Sequence, residues 1–334
     1  MSTSRLNPIW TASQLNEALA RAEGDVWLEL CSDGRIDTYD LSLFGRQSQP
    51  IKRRSHGGAL VFPVSRSDEF DTGLQQLPPA LAFLAINPEP WCSTQIFNGS
   101  QISVGPFLDY ANPLWEWLVR AARTDEARFV PLREGLYPFS QGQDSKLDRE
   151  RIPLPQLVHD EQSGAPPWLR RTLDDFDLGR IVDAVRSAAD ATAVLAGLME
   201  LHDLSESHEL AQSIEGRGTN RAGDYWHAIH HRREPDVENA KYWLRRVGTH
   251  PIHEKLAAAT QDLLSTAVIS DQATDVDKAL QKLTPQGAWD AFAFADLCNE
   301  APASQNPELI WAARRLQFLE MTLLLDSAYD DATT

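Results

Sequence analysis

Cysteine is scarce in this chain: Cys31, Cys92 and Cys298 are the only three, widely separated and odd in number. That excludes a disulfide scaffold, fits a reducing compartment and leaves no cysteine pair at metal-site spacing. Long apolar runs are also missing. Even ALAFLAI has only seven residues before Asn87 and Pro88, well short of the roughly 18 that a membrane span needs. The opening MSTSRLNPIW lacks the apolar core of a secretory signal, so a cytoplasmic protein without membrane association is expected. Positive charge is in deficit, with 31 Lys and Arg against 48 Asp and Glu, a net charge of -17 and a pI of about 4.9. Such a surface repels phosphate backbones and argues against nucleic-acid partners. No internal repeat at a fixed period is present.

What is there is globular. A hydrophobic content of 42% with 24% charged residues allows a folded core, and 334 residues suffice for two domains of about 100–200 residues each. Ten tryptophans and an apolar final helix suit either a large monomer core or a homo-oligomer interface.

The first part of the chain, 1–139, reads as a mixed α+β or irregular region. Leu15, Ala18, Leu19 and Ala22 share one face of a short helix over Ser13 to Ala22. DVWLEL alternates as a strand that turns at Ser32-Asp33-Gly34, and GGALVFPV is a second strand that Pro63 restricts to an edge or an end. Prolines and polar residues dominate between Asn87 and Asn112, and ARFVPLREGLYPF adds an extended piece. Segments from Lys52 to Phe62 or from Phe129 to Phe139 are candidates to roof a pocket in the helical part. A Pro-, Gly- and charge-rich connector follows over 140–170.

The fold class expected overall is mainly α, with a multi-helix carboxyl-terminal domain over 171–330. Apolar residues at helical spacing predict a long helix from Asp177 to Met199. Asp203 and Glu206 have capping-box spacing for a helix through Ile214. The loop EGRGTNRAG leads into DYWHAIHHRR. Pro235 then fits the first turn of a helix with an apolar stripe at Val237, Ala240, Leu244 and Val247, which Gly248 stops. Further helices are expected at 252–268, 272–283, 286–299 and 307–326, the last opened by Asn306-Pro307.

Chemistry concentrates in one segment. Seven of the nine histidines lie between 202 and 253. His227 and His231, four apart on one helix, point from the same face, with His230 on an adjoining angle. Two imidazoles one turn apart hold a divalent ion when a third ligand arrives from the preceding helix, and His208 is the candidate. The set His208, His227 and His231 therefore predicts a site for zinc, iron, nickel or manganese. Glu209, with Glu206 as a second choice, and Glu234 and His230 are the candidates for acid and base work. The zinc-peptidase motif is absent, since Ala228 follows His227. The same imidazoles also suit a metal-free acid/base site, or hydrogen-bonded positions with no chemistry.

Arginine supplies a second signal. Over 216–250, seven Lys and Arg face four Asp and Glu, a local balance of +3 in an acidic protein. Arg232, Arg233, Lys241 and Arg245, walled by Tyr225 and Trp226, are the candidate binding set for a small anionic ligand, because a guanidinium fork grips phosphate or carboxylate with paired hydrogen bonds. The competing reading pairs these cations with nearby carboxylates. The loop GRGTNRAG lacks the GK[ST] ending of a Walker loop.

The stretch GDYWHAIHHRREPDVENAKYWLRRVGTHP, with Ser207-His208-Glu209-Leu210-Ala211-Gln212 upstream, resembles the signature of a family of uncharacterised microbial and fungal proteins. That signature pairs GxYWHAIxHRREPD with NxKYWxRRVGxHP and an SHxxxQ-type helix. The resemblance covers about fifty residues. It draws attention to His208, His227, His231, Arg232, Arg233, Glu234, Asp236 and Arg245 and implies no activity. The residues themselves favour a metal-dependent enzyme for a small phosphorylated or carboxylated metabolite, of hydrolase or isomerase type. A non-catalytic module that binds an anion or an acidic peptide is the alternative from another class. A helical HD-type phosphohydrolase, suggested by His202-Asp203 and His159-Asp160, is a weaker rival.

Overall fold

The structure, a computed structural model, describes residues 10–21, 26–30, 36–40, 60–65, 77–87, 92–97, 104–123, 128–129, 154–160, 165–267 and 274–334. The chain is mainly α-helical and forms two compact units, one of Met1–Phe70 with Pro78–Pro153 and one of Asp71–Leu77 with Leu154–Thr334. Among the described residues no helix is long and apolar enough to cross a membrane.

In the first unit, α1 spans Ala12–Arg21. Thr11 and Gln14 form a reciprocal capping box at its start: the Gln14 amide donates to Thr11 Oγ1 at 3.2 Å, and the Thr11 amide donates to Gln14 Oε1 at 2.9 Å. Five strands follow in a single sheet of order β2-β1-β4-β3-β5: β1 Val26–Leu30, β2 Ile36–Asp40, β3 Leu60–Ser65, β4 Cys92–Phe97 and β5 Arg128–Phe129. β5 pairs only with Leu60 and Val61, so Pro63 has a partner, Thr94, on one side alone among the described residues. A proline without an N–H to donate is tolerated in such a position. Two helices that the sequence reading did not name, α2 (Pro79–Ala85) and α3 (Pro113–Ala122), each start on a proline. The Asn16 side chain ties α1 to residue 107 as a strand neighbour would, donating to the Phe107 carbonyl at 2.9 Å and accepting from its amide at 2.8 Å. The turn at Ser32-Asp33-Gly34, residues 52–59 and 130–139, and 140–153 of the connector lie outside the described residues.

The second unit is a helical assembly: α4 (Pro167–Asp174), α5 (Ala188–Leu201), α6 (Glu206–Ser213), α7 (Ala222–Arg233), α8 (Val237–Val247), α9 (Ile252–Ala267), α10 (Thr274–Gln281), α11 (Ala291–Ser304) and α12 (Pro307–Thr333). Asn306 caps α12 by accepting from the amides of Glu308 and Leu309, and Pro307 opens it. Its 27 residues bury Leu316, Met321, Leu324 and Leu325. α12 packs on α5, α9 and α11, while α7 packs on α5, α6 and α8.

Three local expectations are corrected. The helix expected from Asp177 to Met199 is a 3-10 turn at Leu178–Arg180 and then α5, because Ser187 accepts from the Asp190 amide at 3.2 Å and starts a new helix there. Asp203 does not cap α6; its φ is 57° and its carboxylate is drawn to Arg233. Pro235 lies ahead of α8, whose cap is Asp236, accepting from the Asn239 amide at 3.2 Å.

Close approach of α5 and α7 depends on Gly197. A Cβ there would lie 2.4 Å from Trp226 Cζ2, and Trp226 is fully buried. Residues 154–160 form no helix or strand. Side chains hold this segment by its backbone: Arg314 donates to the Leu154 and Pro155 carbonyls, and Gln317 and Arg233 donate to that of Gln156.

A candidate metal centre

The site lies within the second unit and is built around α7. Asp224 in the first turn of this helix and the basic residues of its last turn match the helix dipole at both ends. Its helical period places His227 and His231 together, ring centroids 4.8 Å apart and stacked. α6 delivers His208, whose Nε2 is 3.0 Å from His227 Nε2. Potential ligand atoms of His208, His227 and His231 all lie within 4.8 Å of one another. Trp243 of α8 stacks on the His227 ring at 3.9 Å and fixes its plane.

Two of these imidazoles are pushed toward the neutral form. Burial, then the neighbouring His208, His231 and His230, push His227 down to about 3. Burial and the charges of His230 and His231 also lower His208. A neutral imidazole carries a free nitrogen lone pair, the form that ligates metals. His231 Nδ1 is 3.0 Å from Glu234 Oε2, which leaves its Nε2 for another partner.

A second group adjoins the first. His159 from the 154–160 segment, Glu200 near the end of α5 and His230 of α7 also bring ligand atoms within 4.8 Å of one another. His230 Nδ1 is 2.9 Å from Glu200 Oε2, and its Nε2 is 3.3 Å from Glu234 Oε1. His159 Nε2 is 3.4 Å from Glu200 Oε1, and its Nδ1 is 3.4 Å from Asp203 Oδ1. The His208 and His230 rings, centroids 5.0 Å apart, join the two groups. Burial opposes ionisation of Glu200, yet the His230 hydrogen bond and the charges of Arg233 and His159 bring its pKa down to about 2. Burial likewise pulls His230 down, and Glu200 outweighs it to raise the imidazole.

Two of the candidate anion-binding residues, Arg232 and Arg233, are engaged in buried ion pairs. Arg232 is buried and pairs with Glu320 at 2.6 Å. Arg233 is fully buried, donating to the Glu200 carboxylate at 2.8 Å and to Asp203. Buried guanidinium groups need such partners, so their charge is already committed. Tyr225 and Trp226 are core residues rather than pocket walls, and the Tyr225 hydroxyl donates to Glu320 at 2.9 Å. Lys241 pairs with Asp296 at 2.5 Å, and exposed Arg245 lies 5.8 Å from the Phe292 ring centroid. Glu209 is exposed and acts on His208 through its charge. Glu234, the other carboxylate singled out in the sequence, touches both His230 and His231.

Sequence reasoning did not single out Glu200, and it named His159 only through the HD-type rival and Trp243 only as a possible pocket wall. A readable signal existed for Glu200: it is the lone carboxylate in the apolar run AVLAGLMEL, and a buried carboxylate demands partners. His202 of the His-Asp pair belongs to neither group among the described residues, which leaves the HD-type pattern incomplete. Comparison of the chain with protein-family models, with curated proteins and with solved structures returned no match.

Proposed function

We propose that the chain is a metal-dependent enzyme acting on a small anionic metabolite, with a divalent ion held by His208, His227 and His231. The reading is carried by three imidazoles converging from two helices, two of them pushed toward the neutral form, with His208 Nε2 and His227 Nε2 3.0 Å apart. At metal–ligand distances of about 2.1 Å, neighbouring ligand atoms lie about 3.0 Å apart in an octahedral set and about 3.4 Å apart in a tetrahedral one. The Glu234–His231 contact adds support, because a carboxylate on the far nitrogen fixes the tautomer and strengthens the ligand. An all-imidazole set suits zinc, iron or nickel, and manganese where oxygen ligands complete the shell.

An ion bound here polarises a substrate oxygen and makes bound water more acidic. Glu234, half-exposed and in contact with two imidazoles of the centre, is the group that takes up a proton at the site and passes it to solvent. Glu209 has no such contact and is the weaker candidate. Because Arg232 and Arg233 are committed to buried pairs, the anionic group of the substrate has the metal as its main counter-charge. Hydrolysis and isomerisation share that requirement. The family signature noted in the sequence spans these same residues, and membership of that family is part of this proposal.

The test is elemental analysis of untagged protein, wild type against a His227→Ala/His231→Ala double variant, with hydrolysis of p-nitrophenyl phosphate and p-nitrophenyl acetate assayed before and after chelation. A metal content that falls by about one equivalent per chain in the folded double variant is expected, together with activity that chelation abolishes and metal restores. Wild-type protein that stays metal-free after reconstitution overturns the proposal. Activity that persists without metal transfers the chemistry to the imidazoles, and anion binding without turnover assigns a binding module.

A further inference from the structure

We infer that His159, Glu200 and His230 form a second divalent-metal site beside the first, so that the centre is dinuclear. Both nitrogens of His230 face carboxylate oxygens, Glu200 Oε2 at 2.9 Å and Glu234 Oε1 at 3.3 Å. His159 is flanked in the same way by Glu200 Oε1 and Asp203 Oδ1, each at 3.4 Å. A neutral imidazole has one N–H. In each ring, therefore, one nitrogen lone pair opposes a carboxylate lone pair unless a second proton or a metal cation lies between them.

The charges give the same result. Glu200, Asp203 and Glu234 contribute three negative charges around the two rings, and Arg233, 2.8 Å from Glu200, contributes one positive charge. The Glu200 side chain is fully buried, where a carboxylate needs cationic partners close by. One divalent ion touching His159 Nε2, Glu200 and His230 Nδ1 supplies that charge and stands in for a second proton on each ring. The separations of 2.9 Å and 3.4 Å at Glu200 match neighbouring ligand positions around an ion at about 2.1 Å. The remaining ring nitrogens then donate outward, His159 to Asp203 and His230 to Glu234, the carboxylate support that ligating histidines commonly have. Glu234 thereby accepts from a ligand of each site, His230 of one and His231 of the other. Two imidazoles and a carboxylate form a mixed nitrogen and oxygen set suited to manganese, iron or zinc.

The second site extends the proposed function and rests on it only for the count of two ions, so the two are tested by separate variants. Full-length protein is loaded with Mn²⁺, desalted and measured for metal per chain, with far-ultraviolet circular dichroism as the check on folding. Wild type is expected to hold two equivalents, His159→Ala one, and His227→Ala/His231→Ala one. A wild type that holds a single equivalent, retained by His159→Ala and lost by the double variant, overturns the second site and leaves the first. A single equivalent lost only by His159→Ala overturns the first site and the dinuclear centre together, and no metal in wild type overturns both readings. Electron paramagnetic resonance of the loaded wild type is independent of any variant's folding: a coupled Mn²⁺ pair is expected, and the six-line signal of isolated ions sinks the inference.

Discussion

Gly197→Ala sets two physical effects of opposite sign against each other. On propensity alone, alanine within α5 should stabilise the helix by about 1 kcal/mol. The new Cβ, however, would lie 2.4 Å from Trp226 Cζ2 and 2.7 Å from Cε2, where carbon atoms rest at about 3.5–4.0 Å. The indole is fully buried, in an interior where close packing leaves few voids. Overpacking of this kind costs about 1–3 kcal/mol, and contacts this short belong to the upper part of that range, so after the propensity gain a net loss of about 1–2 kcal/mol is expected. For a unit of this size that corresponds to a Tm lower by roughly 2–8 °C. Urea unfolding followed by circular dichroism measures it, and a Trp226→Phe change in the same background should recover part of the loss by removing the clashing ring. Because Trp226 directly precedes His227, metal affinity should fall along with stability. A Gly197→Ala variant as stable as wild type, or more so, refutes the packing argument.

Other outcomes follow from the same contacts. Glu320→Ala removes the carboxylate partner of the buried Arg232 guanidinium and should cost about 3–5 kcal/mol in urea unfolding, whereas Arg232→Met/Glu320→Leu should recover most of it; equal losses in both variants contradict the pairing. Burial and His253 hold His250 down at about 4, so the unfolded chain binds the extra proton between that value and about 6.5. Stability should therefore decline as pH falls through this window, by on the order of 2 kcal/mol from pH 7 to pH 5, and His250→Gln should flatten the curve by that amount; parallel curves would reject the assignment. Glu234→Gln should weaken metal binding about 10–100-fold in competition with a chromophoric chelator, while Glu209→Gln should leave it unchanged; the reverse order would exchange their roles.

The part of the site that a helical period can encode was legible. His227 and His231 share a face because they are four apart, and His208 arrives because the next helix back packs on α7. The fate of the arginines was not legible, since the groups that bind Arg232 and Arg233 lie 88 and 33 residues away in the chain. Local charge balance records such residues as a basic patch, while three dimensions turn them into buried ion pairs. His159 was hidden for a related reason: it sits in a segment without periodic structure, and its neighbours Glu200 and Asp203 come from α5 and the turn after it. The overlong helix at Asp177 arose from apolar residues that continue in register through a break, and the local cue to that break, Ser187 three residues before Asp190, is a capping signal independent of hydrophobicity.

The segment that carries His159 has a consequence for how its sequence can vary. Arg314, Gln317 and Arg233 grip it through the carbonyls of residues 154, 155 and 156, groups that every amino acid possesses. Buried Leu154 and Leu157, together with His159, make demands of their own on side-chain identity. Substitutions at Gln156 and Val158 should therefore drift freely among relatives, while the residues that read the backbone, far away in the chain, stay constant. A motif search confined to the segment would see a lone histidine in unremarkable surroundings; its signature is written in the helices that hold it.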